Sequence, residues 1–120
     1  VLLNLACEKI ADPLAFFQGM ILEIQAPDTL SSGDFAEVNV IFEGAASTCC
    51  IPHHLDVQTS DTTCLIRAFF CNTNRLTPCP DEYPPLLLTF QFEASRPGQY
   101  LFLADDGSDI STPLVVIKKE

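Results

Sequence analysis

The amino-acid sequence predicts an all-β fold, an antiparallel β-sandwich of about seven strands. Three observations carry that prediction. Ala36, Val38, Val40 and Phe42 alternate with Glu37, Asn39 and Glu43, and Leu86, Leu88, Phe90, Phe92 and Ala94 alternate with Thr89, Gln91 and Glu93. Period two with one polar face belongs to a strand buried on one side. Clusters of proline, glycine, aspartate and serine punctuate these runs at short intervals, and no stretch carries the apolar repeat of an amphipathic helix.

In chain order, residues 1–18 read as a signal-peptide remnant and tether, with a small apolar group, Leu14, Phe16 and Phe17, between Pro13 and Gly19. The sandwich domain then covers residues 19–120. Its first strand places Met20, Leu22, Ile24 and Ala26 inward and Glu23 and Gln25 outward. Pro27-Asp28 and Ser31-Ser32-Gly33-Asp34 are turns. The Ala36–Phe42 strand ends at Gly44. A loop over 45–52 holds Cys49 and Cys50, and a third strand runs from His54 to Thr59 with Leu55 and Val57 inward. After a tight turn at Ser60-Asp61 comes a strand from Thr63 to Cys71, apolar on both sides except for Arg67. A proline-rich polar loop, 72–85, leads to the Leu86–Ala94 strand. Arg96-Pro97-Gly98 turns the chain, Tyr100, Phe102 and Ala104 point inward, and Asp105–Asp109 is a turn cluster. The last strand is Leu114 to Ile117.

Composition limits what this domain does. The hydrophobic fraction is 48% of 120 residues, enough for the core of one domain and unlike a disordered chain. The net charge of -10, with six Lys or Arg, repels phosphate backbones and anionic lipid, so no nucleic-acid partner is expected. No apolar run is long enough to span a bilayer, so a membrane enters only through a lipid anchor. Six cysteines, Cys7, Cys49, Cys50, Cys64, Cys71 and Cys79, without a C-x-x-C pair, indicate disulfides and an oxidising, extracytoplasmic compartment. The candidate disulfide cysteines are Cys49, Cys50, Cys64, Cys71 and Cys79. One pairing joins Cys49 or Cys50 to Cys79; a small Cys71–Cys79 loop is its rival. Cys64 and Cys71 lie on opposite faces of one strand and should not pair with each other. A bridge across a long loop stabilises by roughly 2–4 kcal/mol.

Val1-Leu2-Leu3-Asn4-Leu5-Ala6-Cys7 followed by Glu8-Lys9 resembles the tail of a bacterial lipoprotein signal peptide, in which cleavage precedes a cysteine that becomes lipidated. Ala6 fits that pattern, and Asn4 departs from the usual leucine. The resemblance makes Cys7 the lipidation site, and the chain a truncated precursor, since the positively charged start is not in it. The competing reading is a first strand, Val1 to Leu5, with Cys7 in a disulfide. Ala26-Pro27-Asp28-Thr29-Leu30-Ser31-Ser32-Gly33-Asp34 looks like the passage between the first two strands of bacterial immunoglobulin-like domains. Ser95-Arg96-Pro97-Gly98-Gln99-Tyr100 looks like the Pro-Gly-x-Tyr entry to a late strand in fibronectin-III-like sandwiches. The chain thus resembles small immunoglobulin-like β-sandwich lipoproteins of Bacteroidetes-type bacteria over residues 7–120. The resemblance implies a cell-envelope location and makes Tyr100 the candidate for a tyrosine corner, its hydroxyl bonding back to the backbone.

Candidate chemistry is sparse. Cys49, Cys50, His53 and His54 form one dense set of soft ligands for zinc or copper. Adjacent residues seldom point the same way, and the competing reading is oxidised cysteines with exposed histidines. Asp105, Asp106 and Asp109 around Gly107 lack calcium-loop spacing and suit a solvated turn. There is no Gly-x-Ser-x-Gly elbow, no cysteine-protease signature and no phosphate-binding glycine loop, so the expectation is a protein without enzymatic activity and without a cofactor. The leading functional expectation is a binding or interaction module, lipid-anchored or secreted, that presents loops or a strand edge to a protein or glycan at the cell surface. Two alternatives stay open: a structural subunit, pilin-like or matrix-forming, that self-assembles by donating the Val1–Leu5 strand, and a periplasmic metal-binding protein using the Cys49/Cys50/His53/His54 set. A secreted inhibitor with a cysteine-stapled loop is a further class with no specific residue behind it.

Overall fold

The structure, a computed structural model, describes residues 16–44, 50–72 and 85–118. Among these the chain is all-β, with eight strands: β1 (Phe16–Gln25), β2 (Thr29–Ser31), β3 (Phe35–Glu43), β4 (Cys50–Ser60), β5 (Thr63–Asn72), β6 (Leu86–Glu93), β7 (Gly98–Ala104) and β8 (Ser111–Ile117). No helix among the described residues is long and apolar enough to cross a membrane.

The strands form two ladders joined by β1. Residues Phe16 to Gly19 pair with Cys71 to Ala68 of β5. From Met20 onward the same strand pairs with β3, Met20 opposite Glu43 and Gln25 opposite Asn39. One ladder is therefore β1–β3–β6, and the other runs β2–β8–β7–β5 with β4 on the outside of β5. Their inner faces share one core. Ile21, Ile24, Val38, Val40, Phe42 and Phe92 come from the first ladder, and Cys64, Ile66, Ala68, Phe70, Tyr100, Phe102, Leu114 and Val116 from the second. Phe92 stands edge-on to Tyr100 at 5.5 Å and to Phe102 at 5.0 Å, locking β6 over β7. Burying this many aliphatic and aromatic side chains is the main favourable term in such a fold.

Gly19 sits where β1 changes partners. A Cβ there would lie 2.5 Å from the carbonyl oxygen of Glu43 and 2.6 Å from Cδ2 of Phe42, so only glycine lets the strand approach β3 this closely.

Several expectations need correction. The sheet is mixed rather than wholly antiparallel. Five pairings are antiparallel, but β2 runs parallel to β8 and β5 parallel to β7. Thr29 to Ser31, assigned to no strand and with Ser31 read as the start of a turn, is a short strand held beside Val115 to Ile117, because the Val115 amide bonds the Asp28 carbonyl and the Ser32 amide that of Ile117. Met20 and Leu22 point outward, 56% and 38% exposed, while Ile21 and Ile24 are buried. A bulge between Ile21 and Glu23 inserts one residue and reverses the facing of everything before it. The tether boundary also moves: β1 begins at Phe16, so residues 16–18 belong to the fold. β8 starts at Ser111 rather than Leu114. Its Pro113 is tolerated because β2 covers only Val115 to Ile117, leaving that edge open at the proline.

Candidate functional site

The β4–β5 hairpin is the longest pairing, running from Cys50 opposite Asn72 to Ser60 opposite Thr63. On β5, Cys64, Ile66, Ala68 and Phe70 point into the core, leaving Leu65, Arg67 and Phe69 on the outer face, only partly covered. Across the ladder these three meet Gln58, Asp56 and His54. The outer face of the hairpin thus carries an aromatic pair, His54 with Phe69, beside a charged pair, Asp56 with Arg67. The imidazole of His54 stacks flat on Phe69, with centroids 4.7 Å apart and planes 9° from parallel.

Arg67 occupies a special place. The second edge of β5 is covered by β7 from Thr63 to Ile66 and by β1 from Ala68 to Cys71, so Arg67 lies at the break between them. The turn after β7 fills that break. The Asp105 amide donates to the Ile66 carbonyl, and Gln18 Nε2 donates to the Asp105 carbonyl at 2.8 Å. The Asp105 carboxylate stands 4.0 Å from Arg67 Nε, while Arg67 Nη2 bonds Asp56. With both partners about a third exposed or more, such pairs orient a side chain more than they stabilise the fold.

Asp106 fastens the same turn to β1. One carboxylate oxygen accepts the Ile21 amide at 2.7 Å, at the bulge, and the other accepts the Ser108 amide at 2.9 Å. Burial alone would push the Asp106 pKa up; hydrogen bonds from Ser108 and from the Ile21 amide outweigh it and hold the carboxyl below the usual aspartate value. The Asp105–Asp109 cluster is therefore more than a solvated turn, and the sequence carried no signal that one of its aspartates would reach a strand 85 residues away.

The other sequence candidates fall as follows. Tyr100 is buried, and its hydroxyl donates to the Arg96 carbonyl at 2.9 Å, the bond a tyrosine corner makes. Cys64 is a correction: it is a free thiol rather than half of a disulfide. Its position on the inner face of β5 leaves it 0% exposed within the core. Burial pushes its thiol pKa up, only partly opposed by Thr59, 3.6 Å away. Cys71 is disulfide-bonded. Cys7, Cys49 and Cys79 lie outside the described residues, as does the side chain of Cys50. The lipidation site, the pairing of the disulfides, the Val1–Leu5 strand and most of the 72–85 loop fall outside them too.

Of the metal-ligand set, His53 and His54 are described. A bulge between Pro52 and His54 brings their rings together, with Nδ1 atoms 2.7 Å apart. Burial first, then the neighbouring His53, lowers the His54 pKa, and Asp56 opposes the shift. Among the described residues no three His, Cys, Asp or Glu side chains gather to hold a metal ion. Compared with protein-family models, curated proteins and solved structures, the chain matches none.

Proposed function

We propose that this chain is a non-enzymatic binding module of the cell envelope or extracellular space, immunoglobulin-like in type, which presents the outer face of the β4–β5 hairpin to a protein partner. One observation carries this reading. Arg67 and Phe69 stand on a central strand, Arg67 held by Asp56 and Asp105 and Phe69 backed by His54. Aromatic and arginine side chains fixed on rigid elements are the usual anchors of protein interfaces, because little rotamer entropy remains to be lost on docking. A protein suits the face better than a glycan. A sugar ring needs an open aromatic face, and His54 already covers one face of Phe69.

The hairpin leads directly into 45–49 and 73–84, the cysteine-bearing segments expected to join the contact surface. A disulfide at Cys71 supports an oxidising compartment, and lipid anchoring at Cys7 remains part of the proposal. The sulfur of Cys64 is sealed in the core with a raised pKa, which withholds this one thiol from nucleophilic chemistry.

A photo-crosslinking residue at Gln58 or Leu65, on the chain in its native envelope, tests the surface. The expected product is an adduct with another protein, lost on Arg67→Ala with Phe69→Ala. Adducts with glycan alone, or with copies of the chain alone, would overturn the reading; the latter, with filaments by light scattering, would favour the strand-exchanging subunit. Intact-mass analysis of the native protein tests the anchor: a lipid adduct on Cys7 is expected, and an unmodified Cys7 contradicts it.

A further inference from the structure

Consecutive residues of a strand face opposite ways, yet His53 and His54 converge. The bulge after Pro52 supplies the extra residue that turns both rings to one side. They meet edge to face at 82°, with centroids 4.9 Å apart, and the flat contact with Phe69 holds the His54 ring in place. Two imidazole nitrogens 2.7 Å apart either share a proton or share a cation. Metal–nitrogen bonds of about 2.0 Å meeting at a right angle separate the nitrogens by about 2.8 Å, whereas a tetrahedral angle opens them to about 3.3 Å. The observed spacing matches the first, the cis arrangement of tetragonal Cu(II) or Ni(II).

We propose that His53 and His54 form a two-imidazole site for Cu(II), both Nδ1 atoms binding in cis and water completing the coordination. Cu(II) takes precedence over Ni(II) because it binds nitrogen ligands more tightly. The site needs no thiolate, so it differs from the four-ligand cysteine–histidine set; it shares His54 with the proposed protein-docking face, but its ligation does not rest on that reading. Ligation requires neutral imidazole, the ordinary state of a histidine above its pKa. The chain's net charge of -10 draws cations toward it. The Asp56 carboxylate, two residues along β4, adds negative charge near the pair, while its bond to Arg67 partly offsets that guanidinium.

The test is titration of the full chain with Cu(II), followed by electron paramagnetic resonance, with the same titration on His53→Gln and His54→Gln. The expected result is a tetragonal signal split by two nitrogens. Each single substitution should weaken binding by about a hundredfold through loss of the chelate, with the circular dichroism spectrum unchanged. Because thiols can reduce Cu(II), the second measurement is NMR of the imidazole rings with Ni(II), which suits the same cis spacing; its paramagnetism should shift or broaden the resonances of both rings together. Cu(II) bound equally well by both variants, or ring resonances untouched by Ni(II), would show a hydrogen-bonded pair only and overturn the proposal.

Discussion

Among the described glycines, Gly19 has the closest surroundings. It was legible in the sequence as a break before an alternating run, but a sequence does not reveal that a strand changes ladders at that residue. Any Cβ there meets a backbone carbonyl as well as the Phe42 ring, and a carbonyl fixed in a ladder yields little. Gly19→Ala should therefore destabilise the protein by about 1–3 kcal/mol, the ordinary cost of overpacking, measured by urea unfolding; an unchanged midpoint would refute the close approach. Cys64 teaches a related lesson. Cysteine count pointed to disulfides, whereas its place in the inward series Cys64, Ile66, Ala68, Phe70 makes it a core residue, and free cysteine behaves as a small apolar side chain. Iodoacetamide should leave Cys64 unlabelled in the native protein and label it once urea unfolds the chain, as read by peptide mass spectrometry. Native labelling at the unfolded rate would place its sulfur at the surface.

The elements were legible where one face is wet and the other dry. β3, β6 and β7 match their predicted alternation residue by residue, since each lies within one ladder and buries one side. β1 failed because a bulge shifts its facing midway, and bulges leave no periodic mark. β2 failed because its three residues are held by pairing with a distant strand, which local turn chemistry cannot foresee. Asp106 supports the irregular element: its carboxylate takes up the Ile21 amide at the β1 bulge. Asp106→Ala should cost about 1–2 kcal/mol, the scale of a hydrogen bond to a charged group near the surface. The pH dependence follows from the sign of the shift. The carboxyl has a lower pKa folded than unfolded, so its contribution is present above the unfolded value and disappears as pH falls through the folded one. Asp106→Asn should flatten this part of the acid limb when stability is followed from neutral pH downward. An acid limb identical to that of the parent protein would mean the clasp is absent in solution.

At the scale of the whole molecule, the two ladders are one structure because β1 belongs to both and the turn at Asp105–Asp109 closes the gap it leaves along β5. That junction sets Arg67 between its two aspartates and so fixes the charged half of the proposed docking face. The all-β class was readable from alternation alone. The mixed topology was not, because parallel pairings join segments far apart in sequence and depend on which edges remain open after the hairpins form. Nor was the outer face of β5 readable as a site, since a strand apolar on both sides gives no hint of which residues its neighbours leave uncovered. The most direct test of this architecture is proton NMR of the folded chain, read for contacts along β1 and between the aromatic rings. The account predicts Overhauser effects from Gly19 to Ala68 and from Met20 to Glu43 in the same molecule, together with effects from the Phe92 ring to the Tyr100 and Phe102 rings. Contacts from β1 to β3 alone, with none to β5, would contradict it.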